Sequence, residues 1–139
     1  MTQIDFYVHV ENTLYTLCTL AAKALGKNMR MMILTPDAQT TDRVDKMLWS
    51  QPAIGFLPHC RAEHRLASVT PIIVDHVGEP IVHEQILVNL CPECPPLFSR
   101  FDRLIEIVGL GEVERDLGRT RFRFYRDRGY DIRTHDLAS

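Results

Sequence analysis

Short strands that are apolar on both faces, alternating with amphipathic helices, predict an α/β fold built on a mostly parallel sheet covered by helices on both faces. Three observations carry that expectation. Gln3 to Val10 alternates, with Ile4, Phe6, Val8 and Val10 on one side. The following apolar positions Leu14, Leu17, Cys18, Ala21, Ala22 and Leu25 keep helical spacing. Arg30 to Leu34 and Gln85 to Leu90 are short, continuously apolar runs of the buried-strand type. A chain of 139 residues, 45% hydrophobic with net charge −2, fits one domain spanning residues 1–139 and is long enough to bury a core.

In order, the first strand leads to a helix that Asn12 or Thr13 can cap and Gly26 stops. After the buried strand ending at Leu34, a helix from about Thr40 to Ser50 carries Val44, Met47 and Leu48. Trp49 to His59, WSQPAIGFLPH, combines Pro52, Gly55 and Pro58 with Trp49, Ile54, Phe56 and Leu57. That is a rigid apolar turn, either a core cover with a short third strand or a contact surface. Arg61 to Ser68 reads as a mobile connection before a strand at Pro71 to Asp75. A short helix near Leu97 to Phe101 leads into a strand at Arg103 to Val108, and the tail from Tyr130 onward is expected to fray. The pattern is Rossmann-like, without repeats or a second domain.

Gly111 to Gly129 holds the unusual chemistry. Seven of the 19 residues from Arg115 to Arg133 are Arg in an otherwise mildly acidic chain, which points to a locally met anionic partner. On a helix, Val113, Leu117, Thr120 and Phe124 fall on a side suited to burial. Arg115, Arg119, Phe122, Arg123 and Arg126 fall opposite, and Gly118 leaves a notch one turn before Phe122. Two readings stay open: a solvated charged face with Glu112 and Glu114 complementing the helix dipole, or a small site for something acidic and apolar.

Catalytic motifs are weak. Cys91-Pro-Glu-Cys94 suits a redox dithiol if a helix follows it, yet no later proline faces it as a thioredoxin fold requires. Zinc with His59, Cys60 and His64 has poor spacing support, so Cys18, Cys60, Cys91 and Cys94 are expected as free thiols. Gly109-Leu-Gly111 would place Glu114 where a dinucleotide site needs its third glycine. His9, His59 and His83 have no partner at a motif spacing. No enzyme, cofactor or metal is expected. Without a long apolar run or a signal-peptide pattern, a cytoplasmic protein is expected.

WSQPAIGFLPH and the basic helix, together with Asp5-Phe6-Tyr7, Val88-Asn89-Leu90, FDRLIEIV from Phe101 and RTRFRFYRDRG from Arg119, resemble the chi subunit family of bacterial DNA polymerase III holoenzyme over nearly the full chain. The resemblance implies a noncatalytic clamp-loader adaptor, located with the replisome at the nucleoid. Its psi-subunit contacts would fall on Trp49 and Phe56, with Pro52 shaping the turn. Its contacts to the acidic, phenylalanine-ending tail of single-stranded DNA-binding protein would fall on Arg115, Arg119, Phe122 and Arg123, with the Gly118 notch beside them. Contact with single-stranded DNA would then be indirect, and a helicase is a further partner for the Trp49 block. Direct nucleic-acid binding through Phe122 and Tyr125, and thiol oxidoreduction at Cys91 and Cys94, are the alternatives. The Cys91 to Pro96 segment is not part of the family resemblance.

Overall fold

A computed structural model describes residues 1–50, 57–78 and 81–138. The strands are β1 (Gln3–Val10), β2 (Met31–Leu34), β3 (His59–Cys60), β4 (Ile72–Asp75), β5 (Ile86–Asn89), β6 (Arg103–Gly109) and β7 (Ile132–Asp136). The helices are α1 (Thr13–Gly26), α2 (Ala38–Ser50) and α3 (Glu112–Asp127). The strands form one seven-stranded sheet in the order β3-β4-β2-β5-β6-β1-β7, and every pairing is parallel. The expected α/β, Rossmann-like architecture is therefore present.

Alternation along the strands builds two cores. Ile33, Ile72, Val74, Ile86, Val88 and Ile105 meet Leu17, Cys18 and Ala21 of α1 and Val44 and Leu48 of α2 on one face. Ile4, Phe6, Met32, Ile73, Leu87, Leu104 and Val108 meet Tyr125 of α3, Phe98 and Phe101 on the other. The Asn12 side chain accepts a hydrogen bond from the Tyr15 N–H and so caps α1, satisfying a donor that the helix start leaves unpaired.

Four local expectations need correction. Val10 does not share a face with Ile4 and Phe6: the β1–β6 register shifts between Tyr7 and Val10, and Val10 enters the α1 side of the core. His9 absorbs the change with a φ of 57°. The Tyr130 onward tail does not fray throughout, because Ile132 to Asp136 adds β7 beside β1 in register from Ile4↔Ile132 to Val8↔Asp136. Residues 61–68 are folded into turns, where the buried Asp75 carboxylate accepts the Ala62 N–H at 3.0 Å and an Arg61 Nη2 hydrogen at 2.8 Å. Near Leu97 the chain makes only a 3-10 turn, Phe98–Arg100.

Candidate functional site

α3 crosses from β6 to β7 on the face opposite α1 and α2, and leaves a strip of sheet beside it uncovered. The result is a groove of about 420 Å³ lined by Phe6, Val8 and His9 of β1, Val108 of β6, Thr134 of β7, and Arg115, Gly118, Arg119, Phe122, Arg123 and Arg126 of α3. All five α3 positions singled out from sequence line it. Phe6, Val8, His9, Val108 and Thr134 were not foreseen, because the sheet brings them to α3 from distant parts of the chain.

Phe122 is half-buried and not an exposed ring among cations: it packs edge-on against Phe6, with centroids 5.3 Å apart and planes at 68°. Gly118 is buried against Val108, where an added Cβ would lie 2.9 Å from Cγ2. Its missing side chain therefore sets the approach of α3 to β6 as well as opening the groove. Arg119 pairs with Asp116 and Arg126 with Asp127, while Arg115 and Arg123 have no ion-pair partner among the described residues.

The rotation of α3 differs from the one expected. Val113 is 71% exposed and Leu117 is exposed too; Gly118, Arg121 and Tyr125 face inward instead. An arginine takes a core position because Glu106, in the middle of β6, faces the same side. Arg121 Nε donates to Glu106 Oε1 at 2.9 Å, the Tyr125 hydroxyl to Oε2 at 2.6 Å, and Asn89 Nδ2 to Oε2 at 3.0 Å. A second Arg121 nitrogen, Nη1, donates to the Pro92 carbonyl at 3.0 Å. Burial pushes the Glu106 carboxyl up from its ordinary value against the pull of Arg121 and these donors. Burial and the adjacent Glu106 push the Tyr125 hydroxyl far up, so it stays a donor. A lone acid inside the apolar run RLIEIVG was the available signal for this network, since a buried charge requires partners.

A family model for the "DNA polymerase III chi subunit, HolC" matches residues 1–133. The chain belongs to that family. A DNA polymerase III subunit chi of Pseudomonas aeruginosa is 33% identical over 141 aligned residues, covering 99% of this chain and 98% of the relative. The chi subunit of Haemophilus influenzae is 24% identical, with 96% of each chain covered. That of Escherichia coli K12 is 25% identical over 118 residues, covering 84% of this chain and 80% of the relative. The protein is thus a chi-family subunit of the replicative polymerase assembly.

Of the second chi-family surface expected from sequence, Trp49 lies in the last turn of α2, 60% exposed, with its ring 5.4 Å from that of His59 and edge-on to it. Pro52 and Phe56 lie outside the described residues. His59 is held between Asp45 and the Leu57 carbonyl, with Nε2 2.8 Å from Asp45 Oδ1 and Nδ1 2.6 Å from the Leu57 oxygen.

The alternatives lose support in this setting. Tyr125 is fully buried, so it offers no platform for stacking on bases. Cys91 and Cys94 are half-buried free thiols with no α-helix amino terminus after them. Burial, reinforced by Glu93 and Glu106, pushes Cys91 up to about 11, and burial likewise raises Cys94, the opposite of an activated thiol. The Glu114 carboxylate folds over Gly109 and Gly111, into the space a pyrophosphate would need. Among the described residues, no group of three His, Cys, Asp or Glu side chains is arranged to hold a metal, and no helix is long and apolar enough to cross a membrane.

Proposed function

We propose that this chi-family protein is a noncatalytic adaptor, with the α3 groove taking the acidic carboxy-terminal tail of single-stranded DNA-binding protein and the Trp49 surface holding the psi subunit. The observation that carries the reading is the convergence of four guanidiniums on one groove whose floor, Phe6, Val8, Val108 and Phe122, is apolar. An acidic peptide ending in phenylalanine needs that combination. A guanidinium can fork onto the terminal carboxylate with two hydrogen bonds. The ring leaves water for the floor beside Phe122, and further acids are steered by the remaining arginines. An aromatic anchor flanked by Arg is a common hot-spot composition.

Much of the attraction acts across solvent, where the screening length is about 8 Å at physiological ionic strength, so affinity falls as salt is raised. Titration of an acidic peptide ending in phenylalanine into wild type, Arg119→Ala and Phe122→Ala tests the site. The expected result is at least about a tenfold loss in each variant, in line with the hot-spot scale. Equal binding by all three proteins would remove the groove from consideration. For the psi surface, a pull-down comparing a Trp49→Ala protein with Arg119→Ala should lose a different partner in each case.

A further inference from the structure

The groove has a second wall that α3 does not supply. His9 sits in the left-handed backbone region, φ 57°, which residues with a side chain rarely adopt and which gathers at binding sites. The register shift between Tyr7 and Val10 marks a bulge, and bulges re-aim side chains. As a result Val8 and His9 both line the groove while Val10 turns to the opposite face. His9 Nδ1 lies 2.7 Å from Asp136 Oδ1 on β7. That hydrogen bond, together with one from the Ala138 N–H, holds the Asp136 carboxyl below its ordinary range. An ionised Asp136 can only accept, so Nδ1–H donates to it. Thr134, two residues earlier on β7 and exposed, lines the same cavity.

We propose that the groove is two-walled, the ligand lying between α3 and β7, and that His9, held in place by Asp136, is a specificity-determining residue limiting the size of the terminal side chain that can be seated. The inference rests on the acidic-peptide reading and adds where the peptide lies and what it is selected for. Charge supports the orientation. Four guanidiniums line the α3 wall, and the β7 wall carries a carboxylate beside His9. Acidic side chains of the ligand are drawn to α3 and repelled from β7, so the β7 wall meets the terminal side chain and main chain. At about 420 Å³ the cavity is near the small end of ligand sites, which run from about 300 to 1,000 Å³. Moving one wall by a side chain changes what fits.

The test uses the full chain and two synthetic peptides, each with a run of aspartates and ending in either Phe or Trp. His9→Asn keeps a residue that tolerates the left-handed backbone and withdraws the ring. Thr134→Tyr keeps a strand-favouring residue and fills the groove from the β7 side. The wild type is expected to prefer the Phe peptide by about tenfold, the scale at which small size differences are discriminated in apolar sites. In His9→Asn the preference should fall to about twofold, and Thr134→Tyr should bind both peptides about tenfold more weakly. A preference unchanged by His9→Asn, together with affinity unchanged by Thr134→Tyr, would overturn the second wall. If His9→Asn does not fold, Thr134→Tyr decides alone, since Thr134 is exposed. Arg119→Ala separates the two readings. If it binds like wild type, the acidic-peptide reading fails and takes this one with it; if it alone loses binding, only the second wall is refuted.

Discussion

Replacing Arg121 by Met tests whether the buried polar network under α3 holds that helix in its rotation. Met keeps the length of the side chain and removes the donors to Glu106 Oε1 and to the Pro92 carbonyl. Glu106 has no exposed side-chain surface and retains only Tyr125 and Asn89 as donors. Removing one partner of a buried ion pair costs about 3–5 kcal/mol, a large part of the roughly 5–15 kcal/mol that holds a domain folded. For a chain of this size that corresponds to a fall in melting temperature of about 10 °C.

The pH dependence has a definite sign. The Glu106 carboxyl is already raised by burial, and Arg121 is the foremost of the groups that pull it down. Without Arg121 the folded-state value rises further above the unfolded one. A carboxyl raised in this way contributes its stability at low pH and loses it as pH rises through the folded value. The deficit of Arg121→Met should therefore be smaller near pH 5 than near pH 8. Melts followed by circular dichroism at both values, with an Arg121→Met, Glu106→Leu double variant, measure it. A deficit below about 1 kcal/mol, one that does not change with pH, or a double variant no more stable than the single one at pH 8 would refute the reasoning.

Gly118→Ala brings a Cβ to 2.9 Å from Val108 Cγ2. The overpacking, typically about 1–3 kcal/mol, should outweigh the roughly 1 kcal/mol gained in helix propensity, and the same change made in a Val108→Ala background should be stabilising; a double-mutant cycle of melts reads the difference. Cys91, pushed from 9.0 to about 11, holds about a hundredfold less thiolate at pH 8 than an unperturbed thiol, so alkylation by a neutral reagent should be correspondingly slow and should accelerate up to about pH 11. At Asp5, burial works upward, but hydrogen bonds from His135 and Arg103 outweigh it and hold the carboxyl below its ordinary 3.8. Its stabilisation is present above 3.8 and lost as pH falls through the folded value. Asp5→Asn should thus melt below wild type at pH 6, with the gap closing in acid.

Where burial follows from periodicity alone, the sequence was sufficient. α1 and the buried strands β2, β4 and β5 lie where their apolar spacing puts them. β7 escaped because an edge strand with a largely solvated pattern, Ile-Arg-Thr-His-Asp, carries no alternating apolar signal. The rotation of α3 escaped because spacing assigns apolar residues inward. Here a strand carboxylate, Glu106, holds an arginine inside and leaves Val113 in water. The cationic wall of the groove was legible, since all of it lies on one helix. Its floor and second wall were not, because Phe6, Val8, His9, Val108 and Thr134 meet only through the order β6-β1-β7 and through a bulge that no local pattern announces.

Strand order also acts as a ruler. α2, which ends near Trp49, packs over β4 on one face of the sheet. The groove opens on the other face, beside β1 and β7. From β4 to β1 there are four strand-to-strand steps, β4-β2-β5-β6-β1, each about 4.8 Å, or roughly 19 Å across plus the thickness of the sheet. Two guests held at these positions cannot collide. Either can leave without disturbing the other, and the hydrogen-bonded sheet between them sets their separation more rigidly than any linker of similar length.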